Sequence, residues 1–259
     1  MSFFYVWIAL KIILESLPIS SSTHLAFYER LVFIFEKSSH LLCCVHEVDH
    51  MLHGVSAIVL FCFFRKKIWF LLKNIKPLFY KILPLAIGII CADAFTAGCY
   101  FLFPVLEVSR IPIVYGLALS LFALLSLRFI NQKKYRKVDL RIFSILGFVQ
   151  GLALLPGISR LAITFVVGRW LGLSPKKSFE TSSFIFLPLI SGAGFVYGIK
   201  VLFSSYANQV LNITTVCVMF ASGIVAYCLF WFVSRLAYRK KMWIFSIYFL
   251  IPIILSFFL

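Results

Sequence analysis

Long apolar runs, divided by short and mostly basic segments, set the pattern of hydrophobic and polar positions. A membrane-spanning helix takes roughly 20 mostly apolar residues. Six stretches meet that: 49–64 with its flanks, 82–103, 111–130, 183–203, 211–235 and 243–259. The first is short and carries Asp49 and His53 near its start. Two further apolar segments, about 2–35 and 142–172, are too long for one span and are broken in the middle. One breaks at Leu17-Pro18-Ile19-Ser20-Ser21-Ser22-Thr23, the other at Leu155-Pro156-Gly157-Ile158-Ser159-Arg160. Pro and Gly interrupt helices, and Ser and Thr hydroxyls satisfy the backbone groups freed at membrane depth. Each broken segment therefore predicts a re-entrant helical hairpin.

Composition strengthens the membrane reading. The 259 residues are 62% hydrophobic and 13% charged, against about 45–50% and about 25% in a soluble domain. That argues against a cytosolic enzyme, a disulfide-built secreted domain and a disordered tail. The net charge of +16 comes without any stacking or groove-reading motif, so no nucleic-acid partner is expected. Basic clusters instead mark cytoplasmic loops: Arg65-Lys66-Lys67 through Lys81, Lys133-Lys134 through Arg141, Lys176-Lys177 and Arg239-Lys240-Lys241. The segments 104–110 and 204–209 then fall outside. The second hairpin enters from the cytoplasmic face. The first, which precedes a loop over Glu36–His50, enters from the outer face.

The two breaks resemble each other in sequence, and each is followed by three spans. The expected fold is all-α: a polytopic membrane protein of six transmembrane helices plus two re-entrant hairpins in an inverted repeat, 1–130 and 142–259. Broken helices meeting at mid-membrane are a recurring form of this architecture. The seven cysteines form no CxxC pair and read as small buried hydrophobes. No basic segment precedes the first apolar stretch, which Lys11 and Glu15 interrupt, so a cleaved signal peptide is not expected.

Charged residues at membrane depth are functional candidates. The breaks bring Glu15, His24 and Arg160 toward one region, with Ser20, Ser21, Ser22, Thr23, Ser159 and Thr164 around them. Arginine gives a phosphate two parallel charge-assisted hydrogen bonds. The half-helix after each break points backbone N–H groups at the same spot. A Ser beside Glu or His makes an activated oxygen nucleophile. Together these describe a site for a phosphate on a membrane-soluble molecule. Structural roles stay open for each residue: the serines as helix caps, Arg160 as an ion-pair partner, His24 as a hydrogen-bonded core histidine.

Glu15-Ser-Leu-Pro-Ile-Ser-Ser-Ser-Thr-His24 resembles the first motif of the bacterial undecaprenyl-diphosphate phosphatases, the bacitracin-resistance type. Gln150-Gly-Leu-Ala-Leu-Leu-Pro-Gly-Ile-Ser-Arg160 with Thr164 resembles their second motif. Glu180, Ser182 and Pro188 fit the spacing that follows, and Asp49, His53, Ser56 and Arg65 are a weaker match. The resemblance spans nearly the whole chain. It implies removal of the terminal phosphate from a C55 isoprenoid diphosphate, recycling the carrier lipid for cell-wall synthesis, in the bacterial inner membrane. On it, Glu15, Ser21, His24 and Arg160 are catalytic candidates. Ser20, Ser22, Gly157, Ser159, Thr164 and Lys11 are substrate-binding candidates. Ser21 would attack phosphorus, Glu15 or His24 would take its proton, and Arg160 with Ser159 and Thr164 would stabilise the phosphoryl charge. The partners expected are the prenyl diphosphate and the bilayer, with a homodimer left open.

The resemblance also implies Mg²⁺ or Ca²⁺, with Glu15 as a ligand. The family usually has a second Glu four residues before Glu15, where this chain has Lys11. Thr23 stands where Gly is usual, and Leu161-Ala162-Ile163 replaces a usual Ser-Gly-Ala run. Lys11 is expected to pair with Glu15 at i,i+4, its ammonium partly standing in for the metal charge. Two other functions compete. A non-enzymatic lipid-phosphate translocase suits an inverted repeat around an anion site. An intramembrane zinc metalloprotease is suggested by His46-Glu47-Val48-Asp49-His50, a literal HExxH, with Asp93 as a candidate third ligand. The bland reading of His40, His46 and His50 is an exposed external loop.

Overall fold

The computed structural model describes residues 2–35, 42–102, 110–132 and 134–258. Among them the fold is entirely helical. The order is α1 (Ser2–Glu15), α2 (Ser21–Phe35), α3 (Leu42–Lys73), α4 (Ile75–Leu102), α5 (Arg110–Ser126) and a 3-10 turn (Leu127–Phe129), then α6 (Leu140–Leu152), α7 (Arg160–Trp170), α8 (Pro175–Leu202), a short α9 (Ala207–Val210), α10 (Ile213–Tyr238) and α11 (Phe245–Phe258). Both expected breaks are present, at 16–20 and 153–159. Polar caps fix several starts: Asp139 accepts from the Ile142 N–H, Ser174 from Lys177 and Asn212 from Thr215. A side-chain oxygen there satisfies a backbone donor that has no partner inside the helix.

Two helices, α8 and α10, are long and apolar enough to cross a membrane by length and composition. Shorter apolar stretches occur at Ala86–Gly98, Ile113–Phe129, Leu140–Leu152 and Met242–Phe257. Large apolar side chains such as Ile90, Phe195, Phe220 and Phe257 stand exposed. An apolar exterior of this extent suits lipid contact.

α3 crosses α8 closely. A Cβ on Gly194 would lie 2.4 Å from the Gly54 Cα, so glycine permits the approach. α4 packs on α6 and α1 on α10, while α5 contacts both α7 and α11.

The chain differs from expectation in several places. Residues 42–50 belong to α3 and are not part of a loop, so His46 and His50 sit on a helix. The basic stretch 65–81 is also helical, interrupted only at Asn74 between α3 and α4. Apolar periodicity finds the apolar part of a helix and misses polar turns that continue it. His40, Cys43, Cys44, Cys99 and the segment 104–109 lie outside the described residues or side chains. Cys62, Cys217 and Cys228 are exposed, and Cys91 is half-buried. In a membrane helix the outward face is itself apolar, so a cysteine there need not be buried.

Candidate active site

The first break carries most of the polar groups. α1 ends on Glu15, whose side chain is buried. The carboxylate accepts a hydrogen bond from the Ser56 hydroxyl at 2.7 Å on Oε2, and His53 Nδ1 lies 2.7 Å from Oε1. One turn earlier on α1, Lys11 is also buried. Its ammonium sits 2.9 Å from Asp49 Oδ1 and 3.0 Å from Oδ2. The expected Lys11–Glu15 pair is therefore not formed. α3 packs beside α1 and offers each group its own partner: Asp49 for Lys11, His53 and Ser56 for Glu15. These three residues recur at i, i+4 and i+7, one face of a helix.

Across the turn, Ser20 lies within 3.2 Å of the Ser22 hydroxyl and 3.0 Å of the Thr23 hydroxyl. Ser21 opens α2 and makes no side-chain hydrogen bond among the described residues. His24 is held at both ends. Its Nδ1 lies 2.6 Å from the Ser20 carbonyl oxygen, and its Nε2 lies 2.7 Å from the Tyr248 hydroxyl. A carbonyl can only accept, so His24 Nδ1 carries a proton and donates it to the Ser20 carbonyl.

The second break is built differently. Gly157 adopts φ +90°, and a Cβ there would meet the Ile113 carbonyl oxygen at 2.3 Å. Only glycine combines that conformation with that approach. The Ser159 N–H donates to the Ser120 hydroxyl at 2.9 Å, and Ser159 Oγ caps α7 by accepting from the Ala162 N–H. Thr164 donates to the Arg160 carbonyl at 2.8 Å. Arg160 lies with its guanidinium carbon 4.3 Å from the centre of the Phe186 ring, and its buried Nε has no hydrogen-bond partner among the described residues.

The two breaks meet at one cavity. Lys11, Glu15, Ser20, Ser21, Ser22, Asp49, His50, His53, Ser56 and Arg160 give it polar walls, and Leu60, Leu154, Phe186, Ala226 and Phe230 line it with apolar ones. It is a concave site, part apolar, with converging charged groups. The chain matches the family model of the bacitracin resistance protein BacA over residues 9–255. It belongs to that family. It is similar to an undecaprenyl-diphosphatase 1 of Shouchella clausii, 30% identical with 95% of this chain and 91% of the relative covered. An undecaprenyl-diphosphatase of Thermosipho africanus is 31% identical, with 94% of each chain covered. One of Treponema denticola is 29% identical, with 92% and 89% covered.

Of the residues read from the sequence as site candidates, Glu15, Lys11, Ser20, Ser21, Ser22 and Arg160 line the cavity. His24, Gly157, Ser159 and Thr164 do not: their polar groups face the backbone or Tyr248, and they shape the two turns. Family membership and the convergence of Glu15 and Arg160 agree with the expected chemistry. The sequence named Asp49, His53 and Ser56 only as a weak match, and their helical spacing was the available signal. Tyr248, Phe186 and Phe230 carried no signal, because each is one aromatic among many.

The carboxylate pair that would hold Mg²⁺ or Ca²⁺ is not assembled. Lys11 occupies the first position, which leaves Glu15 without a second carboxylate one turn away. The protease motif fares no better. His46 is exposed, and the trio of possible metal ligands among the described residues is Asp49, His50 and His53, without His46 or Glu47. Asp93 faces Gln150 at 3.5 Å on α4. Neither the protease nor the translocase finds support in the family or its named relatives.

Proposed function

We propose that this protein hydrolyses undecaprenyl diphosphate to the monophosphate and inorganic phosphate, through a headgroup site made by the two helix breaks. The observation that carries this is Arg160. A half-buried arginine, whose buried Nε has no hydrogen-bond partner among the described residues, lines a cavity shared with Glu15 and the serine turn. The terminal phosphate supplies the missing acceptor.

Ser21 attacks the terminal phosphorus as its proton passes to Glu15. The bond to the bridging oxygen breaks, prenyl monophosphate leaves, and water then releases phosphate from the serine. Arg160 and the N–H groups opening α2 stabilise the developing charge. Lys11, held by Asp49, supplies a resident positive charge where the family uses a carboxylate. His24 acts through the turn by fixing the Ser20 carbonyl. The prenyl tail lies against Leu60, Ala226 and Phe230.

The fold we propose is six spans and two re-entrant hairpins in an inverted repeat, in the bacterial cytoplasmic membrane. Exchanging the halves maps α1 on α6, α3 on α8, α4 on α10 and α5 on α11. The contacts respect that exchange: α1 packs on α10 as α6 packs on α4, while α3–α8 and α5–α11 pair with each other. The basic ends of α3 and α8 also meet, where Lys67 and Lys177 reach Glu180 at 2.7 Å and 3.8 Å. This contact between two of the expected cytoplasmic clusters supports the proposed sidedness.

The test is phosphate release from a C55 diphosphate by detergent-solubilised protein, where a carrier has no gradient to use. Wild type should turn over, and Glu15→Gln and Arg160→Ala should each lose at least about 10²-fold in kcat/KM. Full turnover by Arg160→Ala would overturn the reading.

A further inference from the structure

The imidazole cluster on α3 is not used by the hydrolytic chemistry. The ligand atoms of Asp49, His50 and His53 lie within 4.8 Å of one another. All three residues line the cavity. His53 Nδ1 lies 2.7 Å from the Glu15 carboxylate, outside hydrogen-bond geometry, and the His53 ring offers one nitrogen to the trio. A carboxylate beside a metal-ligating histidine is a recurring outer-shell neighbour. Asp49 has one ammonium beside both of its oxygens, with Lys11 Nζ 2.9 Å from Oδ1 and 3.0 Å from Oδ2. A carboxylate has about four lone-pair sites, so one ammonium leaves it able to bind an ion. His50 stacks on Tyr197, with ring centres 4.5 Å apart and planes at 27°. Its ring makes no hydrogen bond among the described residues, so both nitrogens are open.

We propose that Asp49, His50 and His53 bind one first-row transition-metal ion such as Zn²⁺, at the wall of the headgroup cavity. Two imidazoles and a carboxylate suit such ions, whereas Mg²⁺ and Ca²⁺ prefer oxygen donors throughout. Three protein ligands leave a fourth position open to an anionic oxygen in the cavity. The inference goes beyond hydrolysis and stands or falls separately from it.

The experiment uses the full chain in detergent. It is stripped with chelator, dialysed against Zn²⁺, and its metal content measured alongside phosphate release. Wild type retains one Zn²⁺ per chain, undisplaced by millimolar Mg²⁺ or Ca²⁺. Affinity falls at least tenfold in His50→Gln and in His50→Ala, and is unchanged in His46→Ala. Co²⁺ loaded into wild type gives the visible bands of a nitrogen-ligated, low-coordinate site, a readout that needs no variant to fold. Absence of retained zinc with no such Co²⁺ bands, equal retention by both His50 variants, or loss in His46→Ala overturns the proposal. Phosphate release by protein that binds no added zinc overturns this site alone. Zinc without phosphate release overturns the hydrolytic reading alone.

Discussion

The two breaks look alike in sequence and differ in use. In the first, Ser20, Ser21 and Ser22 all border the cavity, and Ser21 makes no side-chain bond among the described residues. In the second, the Ser159 and Thr164 hydroxyls are committed to the backbone, and the break adds Ile158, Arg160 and Leu161 to the walls. On the proposed function, the first break carries the reacting groups and the second is a mount for one charge. Two similar turns can divide binding and chemistry in this way, because each needs only half of the polar groups.

Breaking the mount at its charge should cost most. Arg160→Ala is expected to lower kcat/KM by at least about 10²–10³-fold, the scale of one lost transition-state donor. Arg160→Lys should recover only part, since an ammonium cannot bind bidentately. Steady-state phosphate release checks both.

Next is the difference in backbone. Gly157→Ala forces a Cβ against the Ile113 carbonyl and strains a left-handed residue. It should lower the melting temperature and the yield of folded protein. Ser21→Ala, in the other break, should leave both unchanged while abolishing turnover.

Lys11→Glu sharpens the comparison within the first break. Wild type should keep turning over in chelator, since Lys11 carries the resident charge. Lys11→Glu restores two carboxylates one turn apart and should make activity depend on added Mg²⁺ or Ca²⁺. A chelator titration of both proteins reads this, and complete loss by wild type would contradict the role of Lys11.

The smallest effects should come from groups that only support a turn. Ser159→Ala removes a helix cap, typically about 1 kcal/mol of stability, with turnover within a few-fold of wild type. Phe186→Ala removes the ring beneath Arg160, typically about 0.5–2 kcal/mol for such a contact. It should raise KM by several-fold while kcat changes less.

Much of this was legible in the sequence for a physical reason. Apolar runs and Pro-Gly interruptions are local signals, and they located the helices and both breaks. The pairing of charges was not legible. Lys11 and Glu15 sit one turn apart and suggest each other, but α3 brings Asp49 to the first and His53 to the second. The same holds for His24, whose partner Tyr248 lies 224 positions away. Contacts of that kind depend on packing across the bundle, which periodicity along one helix cannot report.

A double-mutant cycle on Glu15→Gln and Arg160→Ala, read as kcat/KM for a C55 diphosphate, tests most directly whether the two breaks form one site. Groups acting on one transition state are strongly non-additive. The double variant should therefore be little worse than Arg160→Ala alone. Losses that multiply in full would mean that the two hairpins act at separate places.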